Sequence, residues 1–329
     1  MTRNLVEALR RRPLPRPPVW VMRQAGRYLP EYREIRSRFS FQEAVATPSV
    51  AAEITLQPIR RFAMDGAVIF ADIMTPLEAM GVDMTFDPGP RLRPHTAVEV
   101  AGLAGLDPDR VGFVAETVRR VKAAVPDETA VIGFAGAPVT LLAYLLEGGG
   151  SPDFLSLRRA VKQDAPAVSA ALATLADAMR LYLGLQVEAG ADVVQLFDTW
   201  TGLLDRTAFA ELTVPAATTV LAGIDVPRIY FAPGAGHTLD LQPVIGADGY
   251  GVDWRVPIDE AWARLGDVAV QGNIDPATLL TDPDTIRAEV SELLARVGGR
   301  PGHVVNLGHG IDRRTSTENV AALVAAVRS

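Results

Sequence analysis

The chain contains no cysteine and only two lysines, Lys122 and Lys162, among its 329 residues. Without cysteine, disulfides and thiolate metal sites are excluded, and a reducing compartment, the cytoplasm, is the natural expectation. Both lysines lie in stretches with a helical pattern, so neither stands where a Schiff-base enzyme needs one. The four histidines are scattered along the sequence, and we therefore expect no metal site.

Several sequence signals are also missing. No apolar run approaches the roughly 18 residues that a membrane-spanning helix needs, and the N-terminus lacks the apolar core of a signal peptide. We therefore expect no membrane span. The P-loop, the G-x-S-x-G elbow and a G-x-G-x-x-G turn after the first predicted strand are all absent, which argues against the common nucleotide-binding folds and serine hydrolases.

Positive charge is concentrated near the start of a chain whose net charge is −7. This acidic total argues against a general nucleic-acid-binding protein. Residues 1–40 carry ten arginines and three acidic residues, a net +7, which leaves −14 for the remainder. A guanidinium matches a carboxylate or phosphate in a bidentate way. We interpret the cations from Arg3 to Arg16 as a solvated basic arm, and Arg23 and Arg27 as carboxylate-binding residues.

Short apolar runs rich in β-branched residues alternate with longer helical patterns. Their continuity is typical of strands buried on both faces of a parallel sheet. The predicted strands are 19–22, 67–73, 130–135, 192–197, 228–232, 249–254, 268–272 and 303–307. The clearest predicted helices are 48–62, 109–124, 165–189, 206–222, 283–297 and 317–327, and a hairpin is predicted at 86–94. Eight β-then-α units indicate an α/β fold, a single (β/α)8 TIM barrel with a short N-terminal extension, forming one domain over residues 1–329.

In such a barrel the active site forms at the carboxyl ends of the strands. The residues that follow the predicted strands are therefore the candidates: Arg23, Gln24, Arg27, Asp72, Tyr144, Asp198, Thr199, His237, Asp253, Trp254, Asn273, Asn306 and His309. Arginines with a few acid–base groups indicate a site for an anionic substrate. A carboxylate such as Asp72 in an apolar strand is costly unless it is paired or hydrogen-bonded.

Each candidate also has a structural interpretation. Asp72 can cap a neighbouring helix, Tyr144 can be a core aromatic, and Thr199 can be a helix N-cap. His237, which follows a glycine, can serve the structure alone. His309 lies between two glycines in a loop, and a functional role is the better interpretation there because little packing surrounds it.

Five segments together resemble the uroporphyrinogen decarboxylase family. The longest, residues 19–32 (VWVMRQAGRYLPEY), is similar to that family's N-terminal signature, and residues 133–140 (GFAGAPVT) resemble its second. Residues 56–60 (LQPIR), 271–274 (QGNI) and 306–310 (NLGHG) also match, as does Asp72 with its neighbours. The resemblance extends from about residue 17 to residue 325.

The resemblance implies a single-domain barrel, typically a homodimer, that works without cofactor or metal. Its substrate is uroporphyrinogen III, whose four acetate arms lose CO2 to give coproporphyrinogen III in haem biosynthesis. The implied substrate-binding residues are Arg23, Gln24, Ala25, Gly26, Arg27, Arg36, Asp72, Tyr144, Thr199 and His309. The carboxylate that reaches the pyrrole N–H groups corresponds to Asp72, and Asp72, Tyr144 and His309 are the candidate catalytic residues.

Protonation of the pyrrole next to the reacting arm would provide the electron sink that decarboxylation needs. Asp72 would then stabilise the ring cation, a charge-reversed analogue of an oxyanion hole. Asp72, His309, Tyr144 and a water all stay open as the proton donor, since arginine is too weak an acid.

The chain departs from the family pattern in two places. Residues 310–315 (GIDRRT) replace a segment that more often has an apolar residue and a proline before the threonine. Ala46 stands where many members carry cysteine. Two other functions remain as alternatives, a non-catalytic tetrapyrrole-binding barrel and a corrinoid-linked methyltransferase. The absence of cysteine counts against the second.

Overall fold

The computed structural model describes residues 3–86 and 89–329. The helices are α1 (Asn4–Leu9), α2 (Pro30–Arg36), α3 (Phe41–Ala46), α4 (Pro48–Phe62), α5 (Thr75–Ala79), α6 (Ala97–Ala101), α7 (Gly112–Ala124), α8 (Pro138–Glu147), α9 (Leu155–Gln163), α10 (Ala165–Glu188), α11 (Arg206–Ala208), α12 (Val214–Leu221), α13 (Ile258–Leu265), α14 (Pro283–Val297) and α15 (Thr317–Arg328). The strands are β1 (Gly66–Val68), β2 (Met84–Phe86), β3 (Pro90–Leu92), β4 (Ala130–Gly136), β5 (Val193–Phe197), β6 (Arg228–Phe231), β7 (Gly249–Gly251), β8 (Ala269–Gln271) and β9 (His303–Val304).

Seven strands form one curled parallel sheet in the order β1-β4-β5-β6-β7-β8-β9. Strands adjacent in this sheet are consecutive in the chain apart from the β2–β3 hairpin, and helices connect most of them. The sheet is therefore built from repeated β-then-α units, as the sequence predicts. Every residue of β4 is buried, as expected for a strand covered on both faces.

The predicted first strand, 19–22, forms an isolated parallel bridge rather than a named strand. Val19 pairs with Val305, and the N–H of Trp20 donates to the carbonyl of Val305 at 3.3 Å. On its other side, the carbonyl of Val19 accepts from the N–H of Asp65 at 2.9 Å. This segment therefore lies between the β9 side of the sheet and the start of β1.

The expectation of a solvated N-terminal arm is wrong in part: Arg10, Arg11 and Arg12 are exposed, but the segment that carries them is packed on the sheet. Helix α1 buries Leu5 and Leu9, which pack against Gly66 and Gly249 at the first residues of β1 and β7. Arg16 donates to both carboxylate oxygens of Asp65, at 2.8 and 2.9 Å. The extension therefore closes the amino-terminal end of the sheet, because its apolar face has a core to cover.

One connection differs from the prediction, and another agrees with it. Predicted helix 206–222 is divided into α11, a π-helical turn at Phe209–Thr213, and α12. Pro215 lies in the first turn of α12 and has no N–H to continue the α-helical ladder, which explains the break. The predicted hairpin is present as antiparallel β2 and β3, although Asp87 and Pro88 of its turn lie outside the described residues.

Helix α10 bears on the expectation of no membrane span. With 24 residues it is long and apolar enough to cross a membrane by length and composition alone, contrary to the sequence expectation that no segment would be. Half of its most apolar window is buried within the protein, where α10 packs against α6, α8, α12 and β4. A helix in a protein core can be equally long and apolar, so the composition of α10 is better explained by this packing.

A chain of buried polar side chains lies in the interior near the carboxyl ends of the strands. The indole N–H of Trp20 donates to Gln271 at 2.9 Å, and the Gln271 amide donates to Gln195 at 3.1 Å. Asn306 Oδ1 accepts from the backbone N–H of Met22 at 3.0 Å. These bonds connect distant strands and fix the backbone immediately before Arg23.

Candidate active site

A cavity of about 800 Å³ opens at the carboxyl ends of the strands. This volume is within the usual range for a pocket that binds a small molecule or cofactor. The residues that line it include Met22, Arg23, Ala25, Gly26, Arg27, Phe41, Phe70, Asp72, Phe134, Phe197, Thr199, Phe231, Trp254, Asp275, His309, Asp312, Arg313 and Arg314. The cavity therefore lies at the carboxyl ends of the strands, where the sequence predicts the site.

An aromatic floor covers part of this cavity. Phe134, Phe197 and Phe231 lie at or near the ends of β4, β5 and β6 and pack edge to face, with ring centroids 5.6 and 6.3 Å apart. Phe70 makes a similar contact with Phe41 at 5.6 Å. Sequence analysis missed these residues, although a phenylalanine near the ends of three successive strands is a visible signal. The floor can bury a large apolar ligand surface.

Arg23 and Arg27 lie exposed along the wall of the cavity. Within residues 3–86 and 89–329, neither forms an ion pair, whereas Arg16 and Arg61 in the same region do. Arg23 has a φ of 62°, a left-handed conformation that costs on the order of 1 kcal/mol for a residue with a Cβ. Two uncompensated guanidiniums at a cavity wall are suited to anion binding.

The segment between the two arginines is a tight turn. Gln24 is fully buried and does not line the cavity. Its amide accepts from the N–H of Val21 at 3.0 Å and donates to the carbonyl of Gly66 at 2.8 Å. Ala25 and Gly26 do line the cavity. Gln24 therefore holds the turn in place, while its neighbours face the cavity.

Asp72 follows β1 and is partly exposed to the cavity. Its Oδ1 accepts from the backbone N–H of Met74 at 2.7 Å, just before α5, so the helix-capping interpretation also has support. Burial raises the pKa of Asp72, whereas the hydrogen bond from Met74 and the positive charge of Arg23 lower it. The carboxylate is thus held in a largely desolvated position with a cation nearby.

Tyr144 lies on α8, half-buried behind the cavity wall rather than lining it. Its ring packs edge to face on Phe154 at 5.5 Å and on Trp200 at 6.3 Å. Burial and the negative charge of Asp72 raise the pKa of Tyr144, whereas the Trp200 N–H and the positive charge of Arg23 lower it. Tyr144 is therefore part of a core aromatic cluster that stays within electrostatic reach of Asp72.

His309 lines the cavity and is partly exposed. Burial lowers its pKa, the charges of Arg23 and Arg255 lower it further, and Asp253 opposes them. A Cβ on Gly308 would stand 2.5 Å from the backbone nitrogen of Trp254, so glycine is required there for the loop to approach this closely. Because the pKa of His309 is lowered from its ordinary 6.5, the neutral imidazole predominates at pH 7.

Thr199 lines the cavity beside a fixed carboxyl group. Its neighbour Asp198 is buried and accepts from Thr140 at 2.9 Å and from the Tyr230 hydroxyl at 2.8 Å. Burial raises the pKa of Asp198 to about 6. Thr199 provides no side-chain helix cap, so it is free to present its hydroxyl toward the cavity.

Other predicted residues lie outside the cavity lining. The Arg36 guanidinium stacks over Phe41 at 5.6 Å and donates to the carbonyl of Phe39 at 3.2 Å. His237 bonds the carbonyl of Leu204 at 2.9 Å, in agreement with its structural interpretation. Asn273 donates to two carbonyls of the loop that carries Trp254.

The cavity does not have the donor set of a metal site. Within residues 3–86 and 89–329, no group of three or more histidines or acidic residues is placed to hold a metal ion. The side chains that the cavity offers are instead guanidiniums, single carboxylates and one imidazole.

Comparisons with known proteins agree on one family. Residues 2–329 match the family model described as uroporphyrinogen decarboxylase. A protein of that name from Carboxydothermus hydrogenoformans is 41% identical, with 99% of this chain and 96% of the relative covered. Another, from Roseiflexus sp., is 43% identical, with 98% and 97% covered.

Solved structures show the same fold at lower sequence identity. A methyltransferase from Methanosarcina mazei superposes with a TM-score of 0.83 at 22% identity, covering 99% of this chain and 97% of that one. A B12-independent methionine synthase from Shewanella gives a TM-score of 0.62 at 11% identity, with 87% of each chain covered. At these identities the likeness extends to the fold alone.

Proposed function

The chain belongs to the uroporphyrinogen decarboxylase family and is a carboxy-lyase, and we propose that its cavity binds uroporphyrinogen III and removes CO2 from the four acetate arms. The product is coproporphyrinogen III. The observation that carries this proposal is the combination of an aromatic floor with the unpaired guanidiniums of Arg23 and Arg27. A macrocycle with carboxylate arms needs both an apolar surface for its rings and fixed cations for its periphery.

The charge distribution supports the same substrate. The whole chain is acidic, with a net charge of −7, so its overall charge disfavours a ligand with carboxylate arms. At the cavity wall, Arg23 and Arg27 form no ion pair with residues 3–86 and 89–329. A charged cavity in an oppositely charged surface concentrates such a ligand at the site.

Asp72 is the residue we assign to the reacting pyrrole. Protonation of the ring carbon next to an acetate arm gives a cation, which accepts the electron pair of the breaking C–CO2 bond. Protonation of the resulting methylene carbon and loss of the ring proton leave a methyl group, so each cycle takes up one proton and releases one CO2. A carboxylate fixed beside the ring stabilises the cation in the transition state. Arg23 and the Met74 N–H favour the ionised form of Asp72 against its burial.

Neither Tyr144 nor His309 is suited to proton donation: Tyr144 packs behind the cavity wall, and His309 fits a hydrogen-bonding role. The raised pKa of Tyr144 makes it a weaker acid than free tyrosine. The lowered pKa of His309 leaves a neutral imidazole at pH 7, whose N–H can donate to a substrate carboxylate. We therefore assign the proton to solvent or to the protonated form of Asp72.

Several finer features belong to the same proposal. Counting 19–22 with the seven strands gives a closed (β/α)8 barrel, supported by the hydrogen bonds of Val19 and Trp20 to both sheet edges. We further propose that residues 1–329 form a single domain, that the protein is a cytoplasmic homodimer, and that it needs no cofactor. The family resemblance supports the dimer and the cofactor-free reaction, and the absence of cysteine suits a reducing compartment.

Neither alternative function is favoured. The likeness to a methyltransferase is one of fold, at 22% identity, whereas the relatives at 41–43% identity are decarboxylases by name. A non-catalytic tetrapyrrole-binding protein has no need for a desolvated carboxylate beside a cation, as Asp72 is beside Arg23.

Anaerobic incubation with uroporphyrinogen III tests the proposal. We expect release of four CO2 per macrocycle. Chromatography, after the porphyrinogens have been oxidised to porphyrins, should show the number of carboxyl groups falling stepwise from eight to four. Tight binding with no CO2 release would instead favour the non-catalytic binding protein.

A further inference from the structure

A third guanidinium at the cavity lacks an ion pair. Arg313 lines the cavity and is exposed. The described residues offer it no salt bridge, whereas its neighbour Arg314 donates to Asp312 from Nε at 2.9 Å and from the terminal nitrogen at 3.1 Å. Two adjacent arginines in one loop therefore differ: Arg314 forms an ion pair with Asp312, whereas Arg313 feels the charge of Asp312 without a direct contact.

The loop that carries Arg313 is fixed beside the first arginine segment. The N–H of Ile311 donates to the carbonyl of Met22 at 2.9 Å. Gly310 packs directly against the side chain of Arg23. The Asp312 carboxylate also accepts from the backbone N–H of Arg314 at 2.8 Å, which holds the turn. The backbone of this loop is therefore fixed at both points, and Arg313 lines the same cavity as Arg23 and Arg27.

We propose that Arg313 is an additional carboxylate-binding residue that holds a propionate arm of the macrocycle. This inference rests on the proposed function. The reacting acetate must reach Asp72, whereas a propionate arm is one methylene longer and can extend to an exposed side chain. Propionates are present on the substrate, on every intermediate and on the product, so Arg313 contributes to binding throughout the four cycles.

Equilibrium binding of coproporphyrinogen III under anaerobic conditions tests this assignment and needs no turnover. We expect R313Q to raise Kd about tenfold, the usual effect of losing one charge-assisted hydrogen bond. The Kd of R313K should lie between those of wild type and R313Q, because lysine keeps the positive charge but cannot form two parallel hydrogen bonds to a carboxylate. With uroporphyrinogen III, KM should rise similarly while kcat stays within about twofold, since Arg313 does not contact the reacting atoms.

A control variant separates a direct contact from a general effect of charge. R287Q removes one positive charge from the exposed Arg287 on α14, which pairs with Asp284 and lies away from the cavity. This variant should keep the wild-type Kd. An unchanged Kd in R313Q, or an equal rise in R287Q, would overturn the assignment. Failure of the wild type to release CO2 would count against the proposed function only, because the binding result stands without catalysis.

Discussion

Gly310 lies so close to Arg23 that a Cβ built on residue 310 would stand 2.5 Å from Cδ of the arginine. Real Cβ atoms do not approach that closely, so G310A must displace the Arg23 side chain. The side chain is exposed and can move, and we therefore expect a small loss of stability with an increase in KM of about tenfold. Steady-state kinetics with uroporphyrinogen III, with thermal unfolding alongside, measures both.

Gly184 provides the matched control for that substitution. It lies within α10, and a Cβ there would meet no atom within 4 Å. G184A should leave KM unchanged and stabilise the protein by about 1 kcal/mol through helix propensity. A wild-type KM in G310A would show that the position of Arg23 does not matter for substrate binding.

Replacement of Asp72 by asparagine should separate binding from turnover. Asn keeps an oxygen that can accept from the N–H of Met74, but it removes the anion that stabilises the ring cation. We expect kcat to fall by about 10²–10³, as for the loss of one preorganised electrostatic contact. Affinity for coproporphyrinogen III should stay within a few-fold of wild type, as binding measurements can establish.

Asp275 serves as the control for Asp72, because it is a second carboxylate at the cavity. Its Oδ1 caps the turn at Pro276–Leu280 by accepting from the N–H of Ala277 at 2.8 Å, a bond that asparagine can also make. D275N should keep most of the wild-type kcat. If both variants lose activity equally, the effect comes from the total charge of the cavity and not from Asp72.

Arg27 should not tolerate lysine, although the charge is conserved. A lysine ammonium is a point charge and cannot bind a carboxylate through two parallel hydrogen bonds. We expect R27K to raise KM about tenfold with little change in thermal stability, since Arg27 is exposed and forms no ion pair with the described residues. R60K, at an exposed arginine paired with Glu53, should leave KM unaltered. Equal KM values in wild type and R27K contradict a bidentate contact.

The sequence contains enough information for the order of elements, and less for their ends. Continuous apolar runs located the seven strands of the parallel sheet and the segment 19–22 that forms an isolated bridge. Helices 48–62 and 283–297 are confirmed to the residue. Most strands were predicted too long, since β1, for example, ends at Val68 rather than at residue 73. Apolar side chains continue past the last ladder hydrogen bond because they line the cavity, and a hydrophobic pattern does not distinguish these two environments.

Site residues could be predicted where the residue type is energetically unfavourable or unusual at its position, and could not be predicted where it is common there. A carboxylate in an apolar strand and a histidine between glycines stood out, and the structure has both Asp72 and His309 at the cavity. The burial of Gln24 could not be inferred, because a polar side chain in a turn can equally bond the backbone or a ligand. Likewise, whether Arg313 or Arg314 is free depends on which one Asp312 reaches, and only three-dimensional geometry decides that.

A buried histidine outside the site should make the protein sensitive to acid. His303 in β9 is buried. One ring nitrogen donates to the carbonyl of Gly272 at 2.9 Å, and the other has no hydrogen-bond partner among the described residues. Burial lowers its pKa to about 4 from an ordinary 6.5. Between these values the unfolded chain binds more protons than the folded one, so this contribution to stability is complete above pH 6.5 and is lost as the pH falls toward 4.

We therefore expect wild type to lose about 2–3 kcal/mol more than H303Q in free energy of unfolding between pH 7.5 and pH 4.5, since one pKa unit corresponds to about 1.4 kcal/mol. Glutamine has no proton to take up over this range and can still donate an amide N–H. Denaturant unfolding at the two pH values gives the comparison, with the other titrating groups common to both proteins. An identical loss in wild type and variant would show that the folded protein accommodates the charged imidazole, against its burial in the structure.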